Sequence, residues 1–419
     1  MLLALFACAD PEYASCEEDV IPQRTDVPTW NGEIRALVEE HCESCHAAGG
    51  VGTPTLDGYA SAAAYASAMA DAVEARAMPP FPPVDCCRAL QHSLRLEPEA
   101  IAAFVAWADG GAPEGDPDTY VAPEVETTEL PRVDVTVAMP EPYTPDPLLG
   151  TDDTRCFLLD WPEAERRYVT GMSLEPGAPG EVHHALLLVA NAAVVPSFEA
   201  LDALSPEPGW SCPGGVVLGY TGWIGGWSPG WTAREMPDGT GQPVDPGSKL
   251  ILTVHYSVHD GEPVPDTTAI DLMLADSVDA ELTALSVYDP SWLGGLYIPA
   301  NDADVVETWR QPVGLPWEAY SVNLHMHERG SRGSFGVRHA DGTEECLLQI
   351  DDWDHSWQGD YLFEEPLQLA PDDELWAECH WDNTASNQVS VDGVREEPHA
   401  LFWAEDQEMC AAFLTVRWM

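Results

Sequence analysis

A chain of 419 residues is too long for one ordinary hydrophobic core and implies roughly two to four domains. Only 17 Lys and Arg oppose 72 Asp and Glu, for a formal charge of −55, which argues against nucleic acid as a partner and reads as a solvated acidic surface suited to a salty medium. A hydrophobic content of 45% with 16 Trp fits globular modules, while 37 Pro and 33 Gly call for many turns and much β structure.

No stretch reaches the ~18 apolar residues that span a bilayer, so the body is expected to be soluble. The opening run Met1-Leu2-Leu3-Ala4-Leu5-Phe6-Ala7-Cys8 ends like a bacterial lipoprotein signal, with a small residue before an acylatable cysteine, although it lacks a basic n-region. Lipidation of Cys8 would tether the protein to a membrane face. Residues 1–30 are therefore assigned to a signal-like segment and tether.

A helical pattern begins near Gly32, with Ile34, Leu37 and Val38 on one face, and runs into Cys42-Glu43-Ser44-Cys45-His46. Further helices are predicted over Ser61 to Ala75 and over Pro98 to Asp109, where Ile101, Phe104, Val105 and Ala108 keep helical spacing. Eight prolines between Gly111 and Gly150 then favour an extended linker, placed at 118–150. Beyond it, Val182 to Val189, Leu250 to His255, Ala319 to His325 and Phe413 to Val416 read as strands of antiparallel sandwiches.

Two thiols at i and i+3 with a histidine at i+4 share one helical turn, the pattern that attaches haem c covalently through Cys42 and Cys45 while His46 ligates iron. At 11 Cys and 13 His, chance supplies such a pentapeptide in about one chain per hundred of this composition. The competing readings are a redox CxxC pair and a zinc half-site. No second CxxC follows and no βαβ pattern surrounds it, so both are weaker. Met78, in Arg76-Ala77-Met78-Pro79-Pro80, is the candidate second axial ligand, with Met69 read as core. Residues 31–117 resemble a cytochrome c domain: a helix into CxxCH, an Arg-x-Met-Pro-Pro loop, and a helix opened by Glu97-Pro98-Glu99 and ending in Trp107-Ala108-Asp109-Gly110-Gly111. Eleven cysteines and a haem both point outside the cytoplasm. Cys16, Cys86, Cys87, Cys156, Cys212, Cys346, Cys379 and Cys410 are free to form bridges whose pairing the residues alone leave open.

Four features of the second half are metal-like: His183-His184, His255-Tyr256, His325-Met326-His327 and Met409-Cys410. On a strand, His325 and His327 face one side and can converge on an ion; adjacent His183 and His184 can do so only at a bulge or a strand end. Taken singly, each is more often a surface or core histidine. Together with Thr154-Arg155-Cys156-Phe157, Gly225-Gly226-Trp227-Ser228-Pro229-Gly230, Trp357-Gln358-Gly359-Asp360-Tyr361 and Cys379-His380-Trp381-Asp382-Asn383, they make residues 151–419 resemble the copper type II, ascorbate-dependent monooxygenases, the family of the peptidylglycine α-hydroxylating and dopamine β-monooxygenases. The resemblance implies two copper ions. His183, His184 and His255 would hold the electron-transfer copper, and His325, His327 and Met409 the copper where O2 binds and the substrate C–H bond is attacked. A His2Met set mixes nitrogen with soft thioether sulfur, which favours Cu(I). It also implies the disulfides Cys156–Cys212 and Cys379–Cys410, leaving Cys346 unpaired.

The fold expected is thus a small all-α cytochrome c-like module (31–117), a Pro-rich linker (118–150) and two all-β, jelly-roll-like antiparallel sandwiches (151–285 and 286–419). The function expected is hydroxylation of an organic substrate, a small molecule or a peptide, by a periplasmic or surface enzyme. It would use O2 and an external electron donor, either ascorbate or a redox protein, with electrons relayed through the haem. Asn323 stands where peptide-hydroxylating members carry a substrate-binding arginine, and Phe413 where they carry a tyrosine, which argues against a glycine-extended peptide. The alternative is an extracytoplasmic electron-transfer or copper-binding protein that hydroxylates nothing. His41, His92, His259, His339, His355, His380 and His399 are read as solvated or structural.

Overall fold

The structure, a computed structural model, describes residues 20–123, 129–146, 152–212, 219, 221–231, 233–258, 262–355, 357–388, 390–391, 394–404 and 407–419. Cys8, Cys16 and His259 lie outside these.

Residues 30–119 carry helices and no named strand. The longest helix, Pro98–Asp109, starts with proline at its first turn, where the missing N–H costs nothing, and stops at Gly110. Ile101, Phe104 and Trp107 point from it into a core shared with Trp30, Ile34 and Val38. The Trp107 indole N–H donates to the Pro113 carbonyl at 3.2 Å, closing the module on its own C-terminal turn.

The remainder is β-sheet. In the first sandwich, one sheet runs Trp210–Ser211, Asp152–Asp160, Lys249–Ser257, Val182–Ala190, Gly222–Trp227. Strand Lys249–Ser257 is central and buried on both faces, which suits its unbroken apolar run. The facing sheet orders Val135–Ala138, Ala269–Ala275, Arg167–Glu175, Thr240–Val244, Ala280–Glu281, with Arg234–Glu235 added to Arg167–Glu175. Val135–Ala138 falls within the stretch read as linker: it alternates exposure as an edge strand and pairs with Ala269–Ala275. In the second sandwich, Thr283–Val287, Ala411–Trp418, Trp317–His325 and Tyr361–Leu369 form one sheet, and Val305–Pro312, Glu374–Trp381, Gly330–Arg338 and Glu344–Ile350 the other. Its apolar core includes Trp309, Trp317, Phe335 and Trp381.

Three disulfides are defined by position. Cys156–Cys212 and Cys379–Cys410 close within single sandwiches. The third corrects the expectation that Cys346 is unpaired: it bonds Cys87 across 259 residues of sequence. Sequence spacing carried no hint of this, because the contact is made by a loop that leaves the helical module. Along that loop, Val84, Arg88 and Gln91 donate backbone N–H groups to the carbonyls of Gln349, Cys346 and Leu362, and Ala89 accepts from Glu364. The Arg88 guanidinium meets Glu345 at 2.5 Å, and Phe81 inserts into the core of the second sandwich, edge-on to Tyr361. The two sandwiches are themselves joined by a buried ion pair, Arg234–Asp360, at 2.7 Å.

Candidate metal centres

Strands Val182–Ala190 and Lys249–Ser257 are antiparallel neighbours, with His184 directly opposite His255. The register slips between Val182 and His184, so His183 is the extra residue of a β-bulge. That bulge turns two consecutive imidazoles toward one point, which a regular strand forbids. Nδ1 of His184 lies 3.5 Å from Nδ1 of His183 and 3.3 Å from Nδ1 of His255. Nitrogens held about 2.0–2.1 Å from a common ion stand roughly 3.3–3.6 Å apart, so both pairs that include His184 have ligand spacing, and the ligand nitrogens of all three residues lie within 4.8 Å of one another. His183 and His255 are buried.

His325 ends strand Trp317–His325 and His327 follows two residues later, the rings 5.0 Å apart. Nδ1 of His325 donates to Oε1 of Gln358 at 2.6 Å, and the Gln358 amide donates to the His355 carbonyl, which fixes which way the Gln358 amide points. Nε2 of His325 is then the lone-pair nitrogen, and it is buried without a hydrogen-bond partner. Burial and the neighbouring His327 push the His325 pKa down to about 3, keeping the ring neutral as a metal ligand requires. Nδ1 of His327 donates to the Gln407 carbonyl at 3.2 Å. Both rings are thus oriented by a bond at Nδ1, the device that commonly presents the other nitrogen to a metal.

Met409 precedes strand Ala411–Trp418, whose first residue, Ala411, is the register partner of His325. Topology therefore brings Met409 to the sheet end that carries both histidines. Its neighbours hold it there: Cys410 is bonded to Cys379, and the buried Glu408 carboxylate accepts from the backbone of His327 and Arg329 and from the Trp381 indole. Burial pushes Glu408 up to about 8, against the pull of those three donors.

Three residues read otherwise from sequence gain a place here. His355 lies 6.0 Å from His327, ring to ring. Asn323 donates to the Gly359 carbonyl at 2.6 Å and so anchors the loop that bears Gln358. Phe413 stacks on Trp223 and stands edge-on to His325, giving that side of the site an apolar wall. His380, by contrast, is tied to Asp304 and Glu378.

In the helical module, Cys42 and Cys45 are free thiols. Burial pushes Cys42 up to about 12 and raises Cys45, the opposite of a thiolate poised for disulfide exchange. Nδ1 of His46 donates to the Pro54 carbonyl at 2.7 Å, leaving Nε2 as its acceptor nitrogen. A cavity of about 700 Å³ is lined by Cys42, Cys45, His46 and Met78, with Met69 also on its wall. Its size is that of a cofactor site. Met78 remains 41% exposed.

Residues 311–416 match the family described as copper type II ascorbate-dependent monooxygenase, C-terminal domain. This part of the chain is thus similar to the C-terminal domain of those enzymes. Over 253 residues the chain is 25% identical to putative DBH-like monooxygenase protein 2 of Homo sapiens, a match covering 56% of this chain and 46% of that protein. The chain thus spans less than half the length of that relative. Among solved structures, the major capsid protein P2 of bacteriophage PM2 aligns at 7% identity over 64% of this chain and 97% of its own, with a TM-score of 0.23. Cowpea mosaic virus top component gives 8% identity over 64% of this chain and 77% of its own, with a TM-score of 0.21. At those scores neither carries an argument.

Proposed function

We propose that the chain is an extracytoplasmic copper-dependent monooxygenase that hydroxylates an organic substrate with O2. One copper would be held by His183, His184 and His255, the other by His325, His327 and Met409. The observation that carries the reading is the three-imidazole cluster at ligand spacing, in a chain whose C-terminal half includes a copper monooxygenase domain. Copper bound at these positions supplies the one-electron steps of dioxygen activation.

The residues divide the work. The all-nitrogen set suits both Cu(I) and Cu(II), as an electron-transfer site needs, whereas the thioether of Met409 favours Cu(I). Gln358, the Gln407 carbonyl and Glu408 hold the second set in register before any metal arrives. With Asn323 engaged by Gly359 and Phe413 presenting an uncharged ring, the site suits an apolar substrate face better than a carboxylate.

By the same proposal Cys42, Cys45 and His46 would hold a covalent haem c, with Met78, on the same cavity wall, as a further ligand. Free, partly buried thiols in a chain whose other defined cysteines are oxidised support it. Such a group accepts and releases single electrons, matching what a copper monooxygenase consumes, and would take them from ascorbate or a redox protein. Disulfides support an oxidising compartment, the periplasm or outer surface. No helix among the described residues is long and apolar enough to cross a membrane. Tethering through Cys8 remains part of the proposal.

Oxygen uptake by copper-loaded protein, with ascorbate as donor and a panel of apolar substrates, tests the function. Uptake coupled to hydroxylated product is expected and should vanish in His325→Ala. Copper-loaded protein that takes up no oxygen above free copper with any donor would overturn it.

A further inference from the structure

The cavity walled by Cys42, Cys45, His46 and Met78 is not enclosed by the helical module alone. His183 and Trp357, from the two different sandwiches, complete its wall. His183 therefore belongs to two places at once: its Nδ1 joins the three-imidazole cluster and its ring borders the cavity. The indole of Trp357 packs edge-on against that ring, the centroids 4.7 Å apart.

We infer that Trp357 is the electron conduit between a haem in this cavity and a copper at His183, His184 and His255. The inference rests on the haem reading given above and adds the path. Electron tunnelling weakens less through packed, bonded atoms than through water, so an aromatic ring filling the gap beside a ligand imidazole strengthens the coupling. The transfer is a single-electron exchange: ferrous haem iron loses one electron and becomes ferric, Cu(II) gains it and becomes Cu(I), no proton moves, and the indole is left unchanged. A one-electron donor of the ascorbate type restores the ferrous state.

A conduit works only if its ends stay fixed, and three sets of contacts fix them. The helical module is bonded to the second sandwich by Cys87–Cys346 and by the backbone ladder around Arg88. Its haem-binding turn also presses on the first sandwich: a β-carbon at Gly230 would meet the Ser44 hydroxyl at 3.2 Å, and one at Gly180 the Gly49 carbonyl at 3.3 Å. The loop of Trp357 is pinned on its C-terminal side by Gln358 to His325, by Gly359 to Asn323 and by Asp360 to Arg234. Trp357 also donates its backbone N–H to the Asp354 carbonyl at 3.0 Å.

The test is anaerobic stopped-flow on the full chain. Haem is reduced with a stoichiometric amount of ascorbate, Cu(II)-loaded protein is followed at the haem visible band, and the copper signal is followed by freeze-quench electron paramagnetic resonance. In the wild type, haem oxidation and loss of the Cu(II) signal should proceed together. In Trp357→Leu both should slow by an order of magnitude or more while copper content and the resting Cu(II) spectrum stay as in the wild type. Trp357→Phe, which keeps a ring and preserves packing if leucine disturbs the loop, should recover much of the rate. Equal rates in wild type, Leu and Phe variants would overturn the conduit while leaving the haem reading intact. Protein without covalent haem, or a wild-type reduced haem that copper leaves untouched, would overturn the haem reading or the relay, and the conduit with it.

Discussion

Nδ1 of His325 donates to Oε1 of Gln358 at 2.6 Å, and the residue just before Gln358 is the tryptophan whose indole rests on His183. One loop of the second sandwich thus touches both histidine clusters. The two histidine clusters are built on different sheets, yet a two-residue segment holds an element of each.

Gln358→Leu removes the acceptor that orients His325. Loss of such an outer partner costs about 10–100-fold in metal affinity. Copper titration should show the second site weakened by that amount, with the His183, His184 and His255 site unchanged.

Cys346→Ser breaks the bond between the helical module and the second sandwich. Removing a bridge that closes so long a loop is expected to cost about 2–4 kcal/mol. Thermal unfolding should begin at lower temperature, and limited proteolysis should cut first near residues 84–91, which then keep only non-covalent contacts with the sandwich.

Asp360→Ala strips the partner from Arg234, whose side chain is only 9% exposed. Leaving a buried charge uncompensated costs about 3–5 kcal/mol. Denaturant unfolding should report a loss of that size, against a negligible loss for Asp276→Ala, whose ion pair with Arg167 is largely exposed on the carboxylate side.

Gly52→Val tests the cavity from the other end. Already at Gly52 a β-carbon would lie 2.9 Å from the His46 ring, so valine must displace that imidazole. Covalent haem content, read from the absorbance of denatured protein, should fall sharply while copper content holds.

Much of the architecture was legible from local pattern. Pro98 followed by Ile101 and Phe104 is a helix by capping and period, and the helix spans Pro98–Asp109. The runs at 182, 250, 319 and 413 all fall in strands, because apolar, β-branched segments between Gly and Pro turns have few alternatives. The pair His183-His184 carried its own structural condition, a bulge or a strand end, and the strand bulges at that position. What stayed hidden is what depends on partners distant in sequence. Cys87 finds Cys346 across 259 residues, and nothing in either neighbourhood specifies the other. Val135–Ala138 was masked by surrounding prolines, which an edge strand tolerates and a central one does not. Trp357 and Gln358 sit in irregular backbone, where no periodicity indicates what a side chain will face.

The most direct test of the account is the copper and haem content of the purified, copper-loaded chain. The account predicts two coppers and one covalent haem per chain, falling to one copper in His183→Ala and to one in His325→Ala, with haem retained in both. A chain that retains no copper after dialysis, or holds the same amount in both variants as in the wild type, would contradict it.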